Sequence, residues 1–351
     1  MTGPATRPPR EAARIGHGVV ELAGGVGGAK LAAGLAAVVG RDLTVVVNTG
    51  DDLERHGLAI WPDHDTVLYT LAGLDDPERG WGLRDETWSA IDQLGRYGEA
   101  TWFRLGDRDM ATHLVRTERL RRGDRPTEVA GDLAAALGVG SRILPMSDAP
   151  VRTLVRTDEG WLEFQEYFVA RAQAPAVHEV RFEGAEAAGP STEVLAAIEA
   201  AGAIVVAPSN PIVSIGPILA LPGMREALAG ARERGVPIVA VSPIIAGRAL
   251  KGPADRMLAS LGHEPSVVGI ARLYRGLADG LVVDRVDEAL VSAIEALGLA
   301  VLATDTIMTD DASRERLARE TLAFARRLAG RTAAADPRGT GRHTAPPGGV
   351  V

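Results

Sequence analysis

Residues 18–30 read GVVELAGGVGGAK. A short apolar run, Val19–Ala23, ends in Gly24, Gly25, Gly27 and Gly28, and an amphipathic helical pattern begins near Ala29. Strand, glycine turn and helix in that order leave bare backbone N–H groups at a helix N-terminus, where a phosphate is stabilised. Glycines let a ligand approach the backbone and permit positive φ. The spacing is not GxGxxG. Nor is it the Walker form, because Lys30 is followed by Leu31 and not by Ser or Thr. Taken alone, the turn suits a tight strand–helix connection as well as a phosphate site, so its neighbours must decide.

The next apolar run, Leu43–Val47, is β-branched and continuous, the pattern of a parallel strand buried on both faces. It ends in NTGDD, residues 48–52. Polar residues just past a strand's carboxyl end are where open α/β sheets bind ligands. PDHDT, residues 62–66, then opens an apolar helical stretch that runs to Leu71, and either Asp63 or Asp65 suits a helix cap. As a group, Asp51, Asp52, Asp63 and Asp65 repel one another unless a cation or hydrogen-bond donors offset them. Oxygen ligands without any cysteine suit Mg²⁺.

Between Asp75 and Arg116 the chain carries Trp81, Trp88 and Trp102, three of its five tryptophans. An aromatic, charged, helical insertion of this kind serves as a lid, as a platform for a planar ligand, or as a packed subdomain. LGDRD, residues 105–109, sets two acids around Arg108, either as a helix start with internal pairing or as part of a site. The basic run 116–125 reads as a solvated helix face. Residues 151–156 and 161–168 read as a β-hairpin, with one more strand at 178–182. Strand–helix alternation resumes at Ala203–Ala207. A proline-rich loop follows, residues 208–219, whose Ser209, Asn210 and Ser214 suit a base edge, a phosphate or an Asx turn. After the strand Pro237–Val241, Arg248, Lys251 and Gly252 either face an anion or form a solvated turn. High Ala, Arg and Gly with little Lys is genomic background.

Composition excludes several classes. With no cysteine there is no disulfide, thiolate metal site or Cys nucleophile. The 38 basic and 46 acidic residues, net −8, argue against nucleic acid as a partner. No apolar run reaches the roughly 18 residues of a membrane span. The polar first residues lack the apolar core of a signal peptide, so a cytoplasmic location is expected. The expected architecture is α/β: a Rossmann-like, doubly wound, mostly parallel sheet in one domain over 16–330. It carries a helical, Trp-containing insertion at about 75–190 and a small β-hairpin excursion, with disordered extensions at 1–15 and 331–351.

Eight blocks occur in a fixed order: GGVGGAKL, VVVNTGDD, PDHDTVLYTLAG, RGWGLRDET, RLGDRDMATH, PMSD, APSNPIVSIGPIL and VSPIIAGRALKGPA. Over residues 18–310 the set resembles the CofD/FbiA family, the 2-phospho-L-lactate (phosphoenolpyruvate) transferases of coenzyme F-420 biosynthesis. The resemblance implies two substrates, the deazaflavin Fo and a guanosine diphosphate ester, with Mg²⁺ as cofactor and usually a homodimer. The ribityl hydroxyl of Fo attacks the phosphorus bearing a three-carbon acid, and GMP leaves. On this chain, Gly24, Gly25, Gly27, Gly28 and Lys30 would hold the diphosphate, and Asp51 and Asp52 the metal. Asp65, Thr66 and Arg104 match positions at Fo, and Ser209, Asn210 and Ser214 would read the nucleotide. Asp52 and Asp65 are the expected catalytic carboxylates; Asp65 would orient the hydroxyl, deprotonate it or share the metal. YvcK-like proteins, nucleotide-sugar-binding regulators of related fold, share the glycine turn, and the RGWG, LGDRD and NTGDD blocks argue against them. A nicotinamide-dependent oxidoreductase would need the missing GxGxxG.

Overall fold

Continuous β-branched runs form strands that bury both faces, and here they assemble one parallel sheet. The computed structural model describes residues 18–335. The expected extension at 1–15 lies outside the described residues, as does the tail from 336 on; residues 331–335, expected to be disordered, continue the last helix. In chain order the strands are β1 (Val19–Ala23), β2 (Leu43–Val47), β3 (Leu53–Arg55), β4 (Leu58–Ile60), β5 (Arg142–Pro145), β6 (Arg152–Thr157), β7 (Gly160–Glu163), β8 (Glu179–Glu183), β9 (Ala203–Val206), β10 (Ile238–Val241), β11 (Ile244–Ile245), β12 (Arg248–Ala249), β13 (Gly280–Asp284) and β14 (Ala300–Thr304). The helices used below are α1 (Gly25–Val39), α2 (Pro62–Leu71), α3 (Ser89–Arg96), α4 (Asp107–Arg121), α5 (Pro126–Ala136), α6 (Thr192–Glu199), α7 (Ile215–Ala220), α8 (Met224–Glu233), α9 (Ala254–Ser260), α10 (Val267–Tyr274), α11 (Val291–Glu295) and α12 (Asp311–Ala335).

The main sheet has seven strands in the order β14-β13-β10-β9-β1-β2-β5. All its pairings are parallel, and Val19 of β1 sits level with Leu43 of β2 on one side and Ala203 of β9 on the other. Helices α1, α2 and α12 pack on one face and α6, α8 and α10 on the other, giving two apolar layers. From β1 the chain steps outward to β2 and β5, then returns to lay β9 against the free side of β1. The direction of winding therefore reverses between β1 and β9, the switch point at which open α/β sheets bind ligands. No helix among the described residues is long and apolar enough to cross a membrane.

Several expectations are corrected. The helix expected from Ala29 begins at Gly25, so Gly25, Gly27 and Gly28 form its first turn and not a preceding loop. Neither Asp63 nor Asp65 caps α2; Trp61 is its N-cap, and both acids lie within the first turn. The range 75–190 is not one insertion. It contains β5, an edge strand of the main sheet, so one excursion (β3, β4 and α2 to α5) precedes β5 and another follows it. That second excursion is a three-stranded antiparallel sheet, because β8 pairs with β6 alongside the expected hairpin. The loop at 208–219 closes into α7 from Ile215.

Face choice within β1 leaves one anomaly. Val19 and Ala23 point toward α1 and α12, and by strand alternation so does Glu21, fully buried with neither carboxylate oxygen hydrogen-bonded. Burial pushes its proton affinity well above the usual carboxylate range. On the same face, α1 and α12 meet at Gly34, where a Cβ would overlap the Arg314 carbonyl oxygen and lie 2.6 Å from its carbon. Gly34→Ala gains roughly 1 kcal/mol of helix propensity but forces two backbones apart. We expect net destabilisation of about 1–3 kcal/mol, measured by denaturant unfolding.

Candidate active site

Three loops converge at the switch point because the turn after β1 carries no side chain where the other two meet it. Gly24 is extended (φ −159°, ψ 146°) and caps α1. The Ser209 hydroxyl, just beyond β9, donates to the Gly24 carbonyl (2.7 Å) and accepts from its N–H (3.2 Å). A Cβ on Gly24 would lie 2.6 Å from Asp63 Oδ2, and one on Gly27 would overlap the Pro208 carbonyl. Gly28 packs differently: its Cβ would meet that of Ala23 at 2.9 Å, beneath the turn. Gly25 needs glycine for its φ of +64°.

The acidic loop after β2 folds onto this turn. Buried Asn48 accepts from the Gly50 N–H (2.8 Å), and its amide donates to Asp63 (2.9 Å) and to the Val213 carbonyl (3.3 Å). One side chain thus ties the β2 loop, the α2 start and the loop before α7. Burial raises the Asp51 carboxyl well above its usual range; the Asp63 charge adds to this and the Asn48 contact opposes it. Asp63 is pushed up to about 6 by burial, despite hydrogen bonds from Asn48 and the Gly25 N–H. Asp52 is raised by burial too, with Arg116 opposing and Asp65, Asp51 and Asp63 adding. Oδ1 of Asp51 and Oδ1 of Asp52 are buried without a protein partner.

Asp65 differs from its three neighbours. Burial works to raise its pKa, but the Arg116 guanidinium, then His64, whose Nδ1 lies 3.5 Å from Oδ1, outweigh it and hold the group well below the ordinary range. Arg116 grips both carboxylate oxygens, NH1 to Oδ2 at 2.9 Å and NH2 to Oδ1. It is itself fully buried, donates to the Ala59 carbonyl and lies 4.3 Å from the Trp61 ring centroid. The basic run from 116 is therefore not all solvated: Arg116 shares the inward face of α4 with Asp109 and His113, at spacings of three and four. His113 Nδ1 lies 3.1 Å from Arg116 NH1, so it accepts there and the ring proton sits on Nε2, 3.3 Å from Asp109 Oδ1. The Tyr69 hydroxyl donates to the same Asp109 oxygen at 2.6 Å. Asp65, Asp109 and His113 place ligand-type atoms within 4.8 Å of one another, yet with a guanidinium already on both Asp65 oxygens the cluster reads as a hydrogen-bonded network and not a cation site.

The RGWG and LGDRD blocks owe part of their pattern to mutual capping. Glu86 accepts from the N–H groups of Arg108 and Asp109 at the start of α4, and Asp107 accepts from those of Ser89 and Ala90 at the start of α3. Arg108 does not pair with its flanking acids; it donates to the Arg84 carbonyl. Arg79 lies against the rings of Trp81 and Trp88, and Arg104 lies 4.8 Å from Trp88 while pairing with Asp92.

These walls enclose a cavity of about 1000 Å³. Of the residues expected from sequence, Gly24, Gly25, Gly27, Lys30, Asp51, Asp65, Thr66, Arg104, Ser209, Asn210 and Ser214 line it; Gly28 and Asp52 do not. Asp52 lines a second, small cavity beside Thr153 and Gln165. Asn210 spends its side-chain oxygen on the Ile212 and Val213 N–H groups, an Asx turn, and Thr66 donates to the Pro62 carbonyl. Asp63, Trp81 and Trp102 also reach the cavity. Asp63 and Asn48 stood within recognised blocks, but nothing in their spacing said which acid meets the glycine turn. The Arg116 signal was its register with Asp109 and His113.

A seven-stranded parallel sheet whose switch point joins a glycine-opened helix to an acidic loop defines a Rossmann-like α/β protein. Solved structures of a Bacillus halodurans protein, described as a member of the UPF0052 family, share this fold (TM-scores 0.58 and 0.56, 16% and 15% identity, covering 88% of this chain and 99% of theirs). The family model of the 2-phospho-L-lactate transferase CofD matches residues 19–322, and the chain belongs to that family. A Kitasatospora aureofaciens protein named phosphoenolpyruvate transferase is 46% identical over 318 residues, 88% of this chain and 98% of its own. One of the same name from Mycobacterium avium is 43% identical over 328 residues, 84% of this chain and 95% of its own.

Removing Arg116 would leave Asp65 charged, buried and unpaired. Arg116→Met should cost about 3–5 kcal/mol, seen as a lowered melting temperature at pH 7. Because the folded pKa of Asp65 is depressed, the pair's contribution is present above the unfolded carboxylate pKa and fades as pH falls toward the folded value. The deficit of the variant should therefore shrink in acid.

Proposed function

We propose that this chain transfers a phosphoenolpyruvyl group, or its phospholactyl counterpart, from a guanosine diphosphate ester to the terminal ribityl hydroxyl of Fo, releasing GMP, in coenzyme F-420 biosynthesis. One observation carries the proposal: a single cavity joins bare helix-start backbone, crowded carboxylates and an aromatic rim. The name borne by the relatives, phosphoenolpyruvate transferase, favours the enolpyruvyl donor. Assembly as a cytoplasmic homodimer is part of the proposal, and sedimentation would test the dimer.

Phosphoryl transfer needs positioning and charge stabilisation more than a potent nucleophile. The diphosphate would lie against the start of α1 at Gly24, Gly25 and Gly27, where the Gly24 N–H already meets Ser209 and the Gly25 N–H meets Asp63, with Lys30 beyond them, while Gly28 gives room for the turn. Ser209, Asn210 and Ser214 flank the nucleotide. Asp51, with Asp52 and Asp63 beside it, would hold Mg²⁺; the unpartnered oxygens of Asp51 and Asp52 are hard donors that fit such an ion. When bound, the ion offsets charge on the diphosphate. Asp65, kept ionised by Arg116, accepts a hydrogen bond from the ribityl hydroxyl and orients it, with Thr66 and Arg104 along the acceptor. The hydroxyl oxygen bonds to the phosphorus carrying the three-carbon acid. The bond from that phosphorus to the bridging oxygen breaks, GMP keeps the electron pair, and the hydroxyl proton is released.

Incubation with Fo, Mg²⁺ and each guanylyl donor should release GMP and yield a phosphodiester of matching mass; no turnover with any donor beside an active control would refute the assignment. Asp51→Asn should slow GMP release by at least about 100-fold without lowering the melting temperature, because the replaced carboxyl is one that burial disfavours when charged.

The raised carboxyls also predict a pH effect. With folded pKa values above unfolded ones, Asp51 and Asp63 favour the folded chain while protonated and lose that contribution as pH rises through about 6 for Asp63. Mg²⁺ should restore it. Its addition should raise the melting temperature clearly at pH 8 and little at pH 5.

A further inference from the structure

The cavity holds a second charge cluster, opposite in sign to the first. Lys30 and Lys251 are the only two lysines in 351 residues; the rest of the 38 basic positions are arginine. Both line the cavity, although 221 positions separate them in sequence. Lys30 stands in the second turn of α1, and its ammonium donates to the Met308 carbonyl at 2.9 Å. Lys251 follows the β11–β12 hairpin and has no ion pair or hydrogen bond among the described residues. Its ammonium lies over Gly80, where a Cβ would come within 2.5 Å of Nζ and 3.8 Å of Val26 in the first turn of α1. Gly80 also has a φ of +76°, so the RGWG block yields its place to the lysine twice over.

The two ammoniums feel each other. Burial first, then the charges of Lys251 and Arg314, lower the proton affinity of Lys30, and only Asp75 works against them. Arg314 is already paired with Asp311. Like charges converging on one cavity oppose folding unless an anion joins them. An ammonium is a compact, rotatable point charge, so two can share one oxyanion where two planar guanidinium forks would crowd. Asp63 abuts Gly24 and Gly25, whereas Lys251 and Val26 both lie beside Gly80 and Lys30 stands one turn further along α1, so groups of opposite sign flank the start of that helix within one cavity.

We propose that Lys30 and Lys251 together form a two-ammonium subsite for an oxyanion of the donor, either the carboxylate of its three-carbon acid or a diphosphate oxygen. That the anion belongs to the donor rests on the transfer proposed above. Lys251 is the new element, a charge brought to the α1 turn by the hairpin that follows β10.

Amine-selective acetylation of the full chain, read by mass spectrometry, reports each lysine separately. Bound anion should slow acetylation of both together by at least about tenfold. Protection by GDP identifies the diphosphate oxygen. Protection by phosphoenolpyruvate, with neither GDP nor inorganic phosphate effective, identifies the carboxylate. By calorimetry, Lys251→Met should weaken the protecting ligand at least about tenfold, while Lys251→Arg, which keeps the charge, recovers most of the affinity. Lys251 is exposed, so the melting temperature should not move. If none of the three ligands protects, or if only one lysine is protected, the paired subsite is refuted. Neither measurement needs Fo or turnover. Protection without GMP release would retain the subsite and reject the transfer; GMP release with an unchanged KM in Lys251→Met would do the reverse.

Discussion

Everything at the switch point depends on one absent side chain. A Cβ at Gly24 would collide with Asp63, so the end of β1, the loop after β9 and the start of α2 can meet only around a bare backbone. The Ser209 hydroxyl then closes on both polar groups of that residue, and Asn48 closes on Asp63. These are neutral or singly charged hydrogen bonds between buried groups, each costly to leave unmade. The site is therefore fixed by the sheet beneath it: the register of β1 against β2 and β9 sets where all three loops begin.

On that frame the acids divide by how their charge is met. Asp65 has a bidentate guanidinium and stays ionised. Asp51, Asp52 and Asp63 have no guanidinium on their oxygens, and burial raises their proton affinities even where Arg116 opposes it at Asp52. Four carboxylates in one short stretch thus come to hold two different protonation habits, and the difference is made by a single arginine fifty-one positions downstream of Asp65. A carboxylate held ionised suits orienting a hydroxyl, and carboxyls that resist ionisation without a partner suit receiving a cation.

The parallel core was legible because its strands are mostly apolar runs, VVELA, LTVVV and AIVV, broken only by Glu21 and Thr44 and each followed by polar or small residues at the same sheet edge. Most lining residues were legible for the same reason, since a loop's place follows from the strand it leaves. Three things were not. The start of α1 was set too late, because glycine-rich sequence reads as a loop while here tertiary contacts hold it helical from Gly25. β5, only RILP, is too short to announce that it rejoins the main sheet. Arg116 was hidden in a basic run, and only the partner Asp65, distant in sequence, gives it a reason to be buried. Glu86 and Asp107 carry a fourth lesson: two acids in blocks that resemble a transferase site serve to cap helices.

The buried acid in β1 puts the site's crowding in proportion. Glu21 lies fully buried without a partner in the middle of the sheet, and burial raises its proton affinity well above the usual carboxylate range. A lone carboxyl can do this at the cost of its charge. At the switch point the same escape is open to Asp51 and Asp63 but closed to Asp65, whose proton affinity Arg116 suppresses. The lysines are held differently: Lys30 donates to the Met308 carbonyl, and Lys251 lies beside Gly80 in contact with solvent. Carboxyls and ammonium groups thus line the same cavity. Opposite charges within one enclosure attract more strongly than they would in bulk water, so the two sets are coupled through the space between them.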